Sequence, residues 1–547
     1  MRNCFESMPK IKDIEIFRRG IATGDNARFL RYWFEVGTDN SSVCKKPTEA
    51  KWIKCNKGGE FRKWFGNLEH VINWESGGKD ILNLKDEKGK LRSRPQNIEY
   101  NFKPVITYSS LTSGALSVRF FDEKLINDQS GNFLAFGELN ILRKLSSFLN
   151  CKLAQRFLDL LNPTLNVLVE DLNKLPFDQS IVAKVVVETF NNLHCWAKHD
   201  WDSYETSWDF PELPLLNPSF RQPTLKATYQ HLRAHWREIT LEMKQLEEEN
   251  NRIFIEAYGL QDELEPDVPL NEITLTCNPH YRYGKDKSEE ELEALLLADT
   301  MRELVSYAVG CMFGRYALDK PGLILANQGE TIEDYLRQIP EPSYRAVNDN
   351  VIPMLNGDWF VNDIAELFLK FLRVAFGEDH YEENLQFVEQ ALNIKKKRNY
   401  TIRDYFLGEF YSDHVKRYKK RPIYWLFSSP KGSFNALIYM HRYRPDIVSV
   451  VLNNYLREFI TKYISHKNHL EAVSISASAS PTEKTKALRE IEKITKVIAE
   501  LEEYEREVLY PLATKQVEID LDDGVKVNYP KFGAALKNIS GMDSQED

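Results

Sequence analysis

From Thr224 onward this 547-residue chain changes its hydrophobic period, and that change sets what it can fold into. Leu225, Tyr229, Leu232, Trp236, Ile239, Met243, Leu246 and Ile253 recur at three- and four-residue steps. Such steps put one apolar stripe on a long charged helix, which must bury the stripe against another element. The helix is expected to end at Gly259, since glycine accepts the left-handed backbone just past a helix end. Mostly helical sequence follows over 289–315 and 359–395, with loops at 316–358. Another helix over about 446–473 meets a Ser/Ala tract, SISASAS (474–480), and a further one runs from Pro481 to about Tyr510. Leu488, Ile491, Ile494, Ile498, Leu501 and Val508 share a face of the latter. The pair predicts an antiparallel helical hairpin about 40 Å long, at ~1.5 Å per residue.

Before Thr224 the pattern differs. Short runs such as VITYSS (105–110) and ALSVRFF (115–121) are β-rich and separated by Gly, Ser and Asn, which reads as short strands. ELNILRKLSSFLNCKLAQRFLDLL (138–161) has helical spacing with a break at Asn150. NPTLNVLVEDLNKLPF (162–177) reads as a turn, a short strand and a proline stop, and 179–199 as a helix. The expected fold class is α+β. A mixed α/β domain covers 1–178, and a helical connector covers 179–222, ending in the Pro-studded stretch 211–223. A mainly helical domain covers 223–445, and the hairpin and tail cover 446–547. The polar ISGMDSQED at the end is expected to fray.

Charge is divided along the chain as well. The first 120 residues carry 22 Lys and Arg against 14 Asp and Glu, whereas the whole chain is −9. The cations sit among rings and glycines in GIATGDNARFLRYW (20–33), KWIKCNKGGEFRKWFGN (51–67) and LRSRPQN (91–97). A basic, aromatic segment in an acidic chain suits a polyanion with stackable bases. Arg18, Arg19, Arg28, Arg31, Lys57, Arg62, Lys63, Arg92 and Arg94 are candidates for phosphates, and an arginine fork also fits guanine. Thr23, Asp25, Asn26, Gln96 and Asn97, in the same motifs, complete the candidate DNA-binding set with Gly58 and Gly59, which allow close backbone approach. Trp33, Trp52, Trp64, Phe65 and Tyr108 either stack on a base or support the fold.

Signals for chemistry are mostly negative. Neither G-x-G-x-x-G nor G-x-x-x-x-G-K-[ST] occurs, so neither phosphate-cradling loop is present. SPKGSF (429–434) reads as a β-turn. His231 and His235 share a helix face without a third ligand and read as structural beside Trp236, so no metal site is expected. Amino-methylation of a flipped base takes an Asn-Pro-Pro-aromatic loop. NPSF (217–220), NPTL (162–165) and NPHY (278–281) lack its second proline. NPHY, following EITLTC (272–277), reads as a strand end with a turn, and no catalytic residue is assigned. Seven scattered cysteines without C-x-x-C suit reduced thiols. With no apolar leader or spanning run, a cytoplasmic protein without a membrane partner is expected.

At these motifs the chain resembles the C-terminal half of the PglX-type adenine-specific DNA methyltransferases of BREX phage-defence systems, and more distantly type IIG restriction–modification enzymes. The matching stretches run in order: GIATGDNARFLRYWFEV (20–36), WIKCNKGGEFRKWFGN (52–67), LRSRPQN (91–97), LNPTLNVLVEDLNKLPF (161–177) and HDWDSYETSWDFPELPLL (199–216). EENNRIFIEAYGLQDEL (248–264), GCMFGRYALDKPGLILANQGE (310–330) and RPIYWLFSSPKGSFNALIYMHRYRPD (421–446) continue them. The resemblance implies that 1–178 is a target recognition domain for double-stranded DNA and that the helices beyond it serve as spacer and docking surface. It also implies methylation of the adenine N6 amine from S-adenosylmethionine. The family's donor site and NPPY-type loop lie in an N-terminal half that this chain is not expected to contain. No cofactor is therefore expected on these residues, and a truncated or split gene product is expected. The implied partners are a methyltransferase catalytic half and other phage-defence proteins. The competing reading is a helical protein-interaction component of the defence complex with no DNA specificity of its own.

Overall fold

The computed structural model describes residues 1–42, 46–47, 49–110, 115–162, 164, 166–179 and 185–542. It is mixed α/β, with small sheets and several long helices. Contacts divide it into two compact units. The first comprises Met1–Phe34, Thr38–Gln222 and Ala227–Leu297, and the second Glu35–Gly37, Pro223–Lys226 and Ala298–Asp547.

The first unit holds two sheets. One contains β1 (Leu30–Tyr32), β2 (Trp52–Asn56), β3 (His70–Asn73) and β6 (Ile126–Asn127) in the order β1-β3-β2-β6. Its β2–β6 pair is parallel and the rest antiparallel. The other is antiparallel in the order β5-β4-β7, from β4 (Val105–Ser109), β5 (Val118–Phe121) and β7 (Gly131–Ala135). All five residues of β4, VITYS, are buried, as a central strand covered on both faces requires. Helix Leu139–Leu149 packs on β4 and β5. It stops at Asn150, whose side chain clamps β5: Oδ1 accepts from the Val118 N–H at 2.8 Å and Nδ2 donates to the Val118 carbonyl at 2.9 Å. Helix Lys152–Leu161 then resumes. Within 162–177 the expected strand is instead a helical turn, Val169–Leu172, with Glu170 and Asp171 in its first turn, where carboxylates favour a helix start. The positions 163, 165 and 180–184, within the expected turn and helix, lie outside the described residues, as does the end of ISGMDSQED.

The long helix runs Leu225–Ala257, and Gly259 follows at φ 65°. Its stripe is buried from Leu225 to Met243. Beyond that the buried face drifts to Glu247, Asn250, Asn251 and Phe254, while Leu246 and Ile253 are half-buried. A straight helix turns past a fixed seven-residue repeat, so a polar residue rotates inward. This drift matters to the unit boundary. The units divide between Gln222 and Pro223, between Lys226 and Ala227, and between Leu297 and Ala298 inside helix Glu289–Phe313, so Ala227–Leu297 belongs to the first unit. Buried ion pairs account for that. Arg62 pairs with Asp200 at 2.6 Å and Lys63 with Glu247 at 2.7 Å, joining the connector and the long helix to the N-terminal sheets. NPHY is likewise no strand end. Asn278 caps helix Pro279–Tyr283, its Oδ1 accepting from His280 N–H and its Nδ2 donating to the carbonyls of Leu270 and Ile273.

The second unit centres on an antiparallel sheet, β8 (Val351–Pro353), β10 (Asn435–Tyr439) and β9 (Tyr424–Ser428) in the order β8-β10-β9. SPKGSF forms the β9–β10 turn, with Gly432 at φ 74°. Glu500 pins it, accepting from Ser429 Oγ at 2.6 Å, Lys431 N–H at 2.8 Å and Ser433 Oγ at 2.5 Å. Helices Arg457–Ile475 and Pro481–Tyr504 pack on one another across a short link. Ala487, Ile494, Ile498 and Leu501 are buried, whereas Leu488 is 58% exposed. Among the described residues no helix is long and apolar enough to cross a membrane, and Cys4, Cys55, Cys151, Cys195, Cys277 and Cys311 are free thiols.

Buried His414 predicts a loss of stability in acid for this unit. The Tyr424 N–H donates to His414 Nε2 at 3.0 Å, so that nitrogen must stay unprotonated. Burial, with the charges of Arg417 and Arg315, holds the ring's pKa well below its ordinary value. The unfolded chain takes up this proton below about pH 6.5 and the folded one does not. Stability from this ring is therefore full above that pH and falls as pH drops, by about 1.4 kcal/mol per unit. Urea midpoints between neutral and mildly acidic pH should decline less steeply for His414→Gln, which keeps an acceptor. Equal slopes would refute the assignment.

Candidate nucleic-acid interface

Two basic motifs, far apart in sequence, meet at the turn between β6 and β7, and a third joins the first of them. The turn is Asn127-Asp128-Gln129-Ser130-Gly131, closed by Gly131 N–H to the Asp128 carbonyl at 2.9 Å. The first motif crosses it at Gly20–Ile21. Ile21 N–H donates to the Asn127 carbonyl at 2.8 Å, and Gln129 N–H to the Ile21 carbonyl at 3.0 Å. A Cβ on Gly20 would stand 2.2 Å from the Asn127 carbonyl oxygen, so the two backbones touch there. The second motif arrives at Asn56–Gly58. The Asn56 amide donates to Asn127 Oδ1 and to the Gly131 carbonyl, each at 3.1 Å. Gly58, at φ 80°, lies where a Cβ would press on the Ser130 carbonyl oxygen at 2.8 Å. Burial lifts the Asp128 carboxyl above its ordinary range, against Ser130's N–H and hydroxyl and the charge of Lys57.

The third motif pairs with the first. Ala22 and Arg94 exchange two backbone hydrogen bonds, at 3.1 and 2.9 Å. Gly24, at φ 78°, faces the Arg92 backbone, which a Cβ would meet at 2.9 Å. Gln96 Nε2 donates to the Gly20 carbonyl and Asn97 Nδ2 to the Arg19 carbonyl, both at 2.9 Å. Thr23 Oγ donates to Asn26 Oδ1 at 2.6 Å and accepts from Asp25 N–H. Asp25 caps the short helix Asn26–Phe29 by accepting from Arg28 N–H at 3.1 Å. Such local side-chain bonds are how short polar residues fix a loop.

The candidate cations separate into two groups. Arg19, Arg28, Arg92 and Arg94 are exposed. Among the described residues no carboxylate pairs with Arg92 or Arg94, and Arg19 has Glu170 at 3.7 Å. Arg28 holds Asp80 at 3.1 Å across solvent, a weak tie. Lys57 is half-buried beside Asp128. Arg18 is engaged by Glu15 at 2.8 Å and lies over the Tyr100 ring, and Arg31 donates to the carbonyls of Ala27 and Leu30. Arg62 and Lys63 are interior, joined to Asp200 and Glu247, and Trp64 donates its indole N–H to the same Glu247 at 2.8 Å. Gly59 is exposed, and its N–H donates to Ser109 Oγ at 3.0 Å.

The five rings put forward as stackers are all interior: Trp33, Trp52, Trp64, Phe65 and Tyr108 are no more than 3% exposed. They support the sheets, since aromatic bodies bury the most area where strands are short. Asn56, Asn127, Asp128 and Arg119 were missed by sequence reasoning. Arg119 is fully buried, its pKa pushed down to about 10 chiefly by burial, and it donates to the Arg62 carbonyl and Ser109 Oγ. Asn and Asp beside a glycine read as an ordinary turn, so nothing in the sequence distinguishes them. Among the described residues no group of three His, Cys, Asp or Glu is placed to hold a metal.

No protein-family model matches the chain. It is 33% identical, over 94% of its length, to adenine-specific methyltransferase BrxX of Escherichia coli O9:H4 (strain HS), and covers 42% of that protein. It is also 33% identical, over 97% of its length, to adenine-specific methyltransferase PglX of Lacticaseibacillus casei (strain Zhang), covering 43%. The homologues of this chain are thus adenine-specific methyltransferases, and it spans less than half of their length.

Proposed function

We propose that this chain is the DNA-recognition and docking part of a site-specific adenine N6 methyltransferase of a phage-defence system. The similarity to two adenine-specific methyltransferases supports the reaction class. The observation that carries the DNA role is the joining of two distant motifs, 18–28 and 91–97, with the exposed arginines Arg19, Arg92 and Arg94 on them. In this reading residues 1–178 form a target recognition domain. The exposed arginines set register on phosphates, and the adjoining loop, where buried Thr23 braces Asn26 and Gln96 and Asn97 hold the backbone at Arg19–Gly20, shapes the surface beside them. Arg62, Lys63 and Trp64 tie the 51–67 motif to Asp200 and Glu247. The methyl-donor chemistry of S-adenosylmethionine belongs to a catalytic half outside these residues, and that half and other phage-defence proteins are the partners.

Duplex binding by the whole chain tests the reading. R92Q/R94Q should weaken affinity at least tenfold with an unchanged melting temperature, the loss being a charge effect that salt also produces. Unaltered affinity would count against the DNA role and in favour of a helical docking component.

A further inference from the structure

The most concentrated positive charge in the chain lies outside the first 120 residues. Residues 393–422 hold ten Lys and Arg against three Asp and Glu, in a chain whose net charge is −9. They fold as one helix with a basic loop at each end. The helix comprises Ile402–Tyr405, a π-helical turn Phe406–Phe410 and Tyr411–Arg417. Lys395, Lys396, Lys397 and Arg398 lie before it, and Lys416, Lys419 and Lys420 at its other end, all exposed. Every acid in the segment is engaged within the protein. Asp404 accepts from the Thr401 N–H at 2.8 Å, Glu409 takes Lys397 at 3.2 Å, and Asp413 takes Arg302 at 3.1 Å and the Tyr405 hydroxyl at 3.0 Å. Arg403 pairs with Asp358 and Asp363, Arg417 is half-buried and Arg421 is buried, so the surplus that faces solvent is carried by Lys395, Lys396, Arg398, Lys416, Lys419 and Lys420.

Backbone conformation supports a selected role for these lysines. Lys396, Lys419 and Lys420 sit at φ 50°, 51° and 60°. That left-handed region costs an L residue with a Cβ roughly 1–2 kcal/mol, and Gly or Asn is the ordinary occupant. Lysine there is a poor choice for the fold.

We infer that this basic helix-and-loops surface of the second unit binds the phosphate backbone of duplex DNA without reading sequence. Its two charged ends are roughly 24 Å apart at ~1.5 Å per residue, about seven phosphate steps at 3.4 Å along a strand. Lysine supplies point charges with no planar fork for a base edge. Tyr400 and Tyr418 are buried, at 9% and 0% exposure, so neither ring offers a stacking platform for single strands. The inference takes from the proposed function the identity of the polyanion and nothing else.

The test is duplex binding by the full chain across a salt series, comparing the native sequence, K396N/K419N/K420N and R92Q/R94Q. Asparagine accepts the left-handed backbone, so the triple variant should melt at the same temperature or higher. Its affinity should still fall about tenfold at low salt, equally for unrelated sequences, and its slope of log affinity against log salt should shrink by about 2.7 for three lost phosphate contacts. K396R/K419R/K420R should bind as the native chain does. Unchanged affinity and slope in the asparagine variant overturn the inference while leaving the first-unit reading intact. Loss in that variant with none in R92Q/R94Q sinks the first-unit reading instead. Tighter lysine-dependent binding of single-stranded RNA or of anionic lipid vesicles would also overturn it, as would a chain that binds no duplex.

Discussion

Glu247→Ala should cost the first unit about 3–5 kcal/mol, the range for removing one partner of a buried ion pair. Glu247 is 3% exposed, and it accepts from the Lys63 ammonium at 2.7 Å and the Trp64 indole N–H at 2.8 Å. Without it, a charge and a donor are stranded where water cannot reach, because Lys63 is 5% exposed and Trp64 fully buried. Trp64 has little freedom to turn away. It holds a left-handed backbone at φ 71°, and exchanges bonds with β5 through its N–H to Val118 and its carbonyl from Phe120. A whole domain is stable by only about 5–15 kcal/mol, so the loss is a large share. Urea denaturation followed by tryptophan fluorescence should show it. Glu247→Gln, which keeps one acceptor, should lose less. A shift under about 1 kcal/mol for alanine would mean that the pair contributes no more than a surface bridge.

Gly20→Ala is the sharper probe of the interface. The added methyl would meet the carbonyl oxygens of Asn127 and Asp128 at 2.2 and 2.4 Å. Both are backbone atoms and cannot swing aside as a side-chain end does. Overpacking of this kind costs about 1–3 kcal/mol. The more informative consequence is geometric, since separating the two backbones displaces Arg19 and the Ala22–Arg94 pairing together. Duplex affinity should fall at least tenfold, even below the temperature at which the variant begins to melt. Gly137→Ala is the control, because nothing lies within 4 Å of its Cβ. Equal affinity for both variants would separate the Gly20 contact from binding.

The sequence was most legible where one physical cause acts alone. Periodicity marks the helix Leu225–Ala257 and its glycine stop, and the helix break at Asn150. It fails at Glu247, where helical drift turns a carboxylate inward that any pattern of polarity would place outside. Distant partners explain three residues of the candidate site. Arg62, Lys63 and Trp64 look like a surface motif because their carboxylate partners, Asp200 and Glu247, are more than a hundred residues away. By contrast the 18–28 and 91–97 motifs keep their arginines outside, yet their pairing through Ala22 and Arg94 depends on a long-range bridge that spacing cannot reveal. The second basic surface was overlooked for another reason, as its charge is averaged away by an acidic C-terminal region.

Hydrogen exchange of the full chain, with and without a short DNA duplex at low salt, tests the central claim most directly. The account predicts slowed exchange in 18–28, 56–59 and 91–97, with 211–223 unaffected. Protection confined to the helices beyond Thr224 apart from 393–422, or no change in the first unit at duplex saturation, would contradict it.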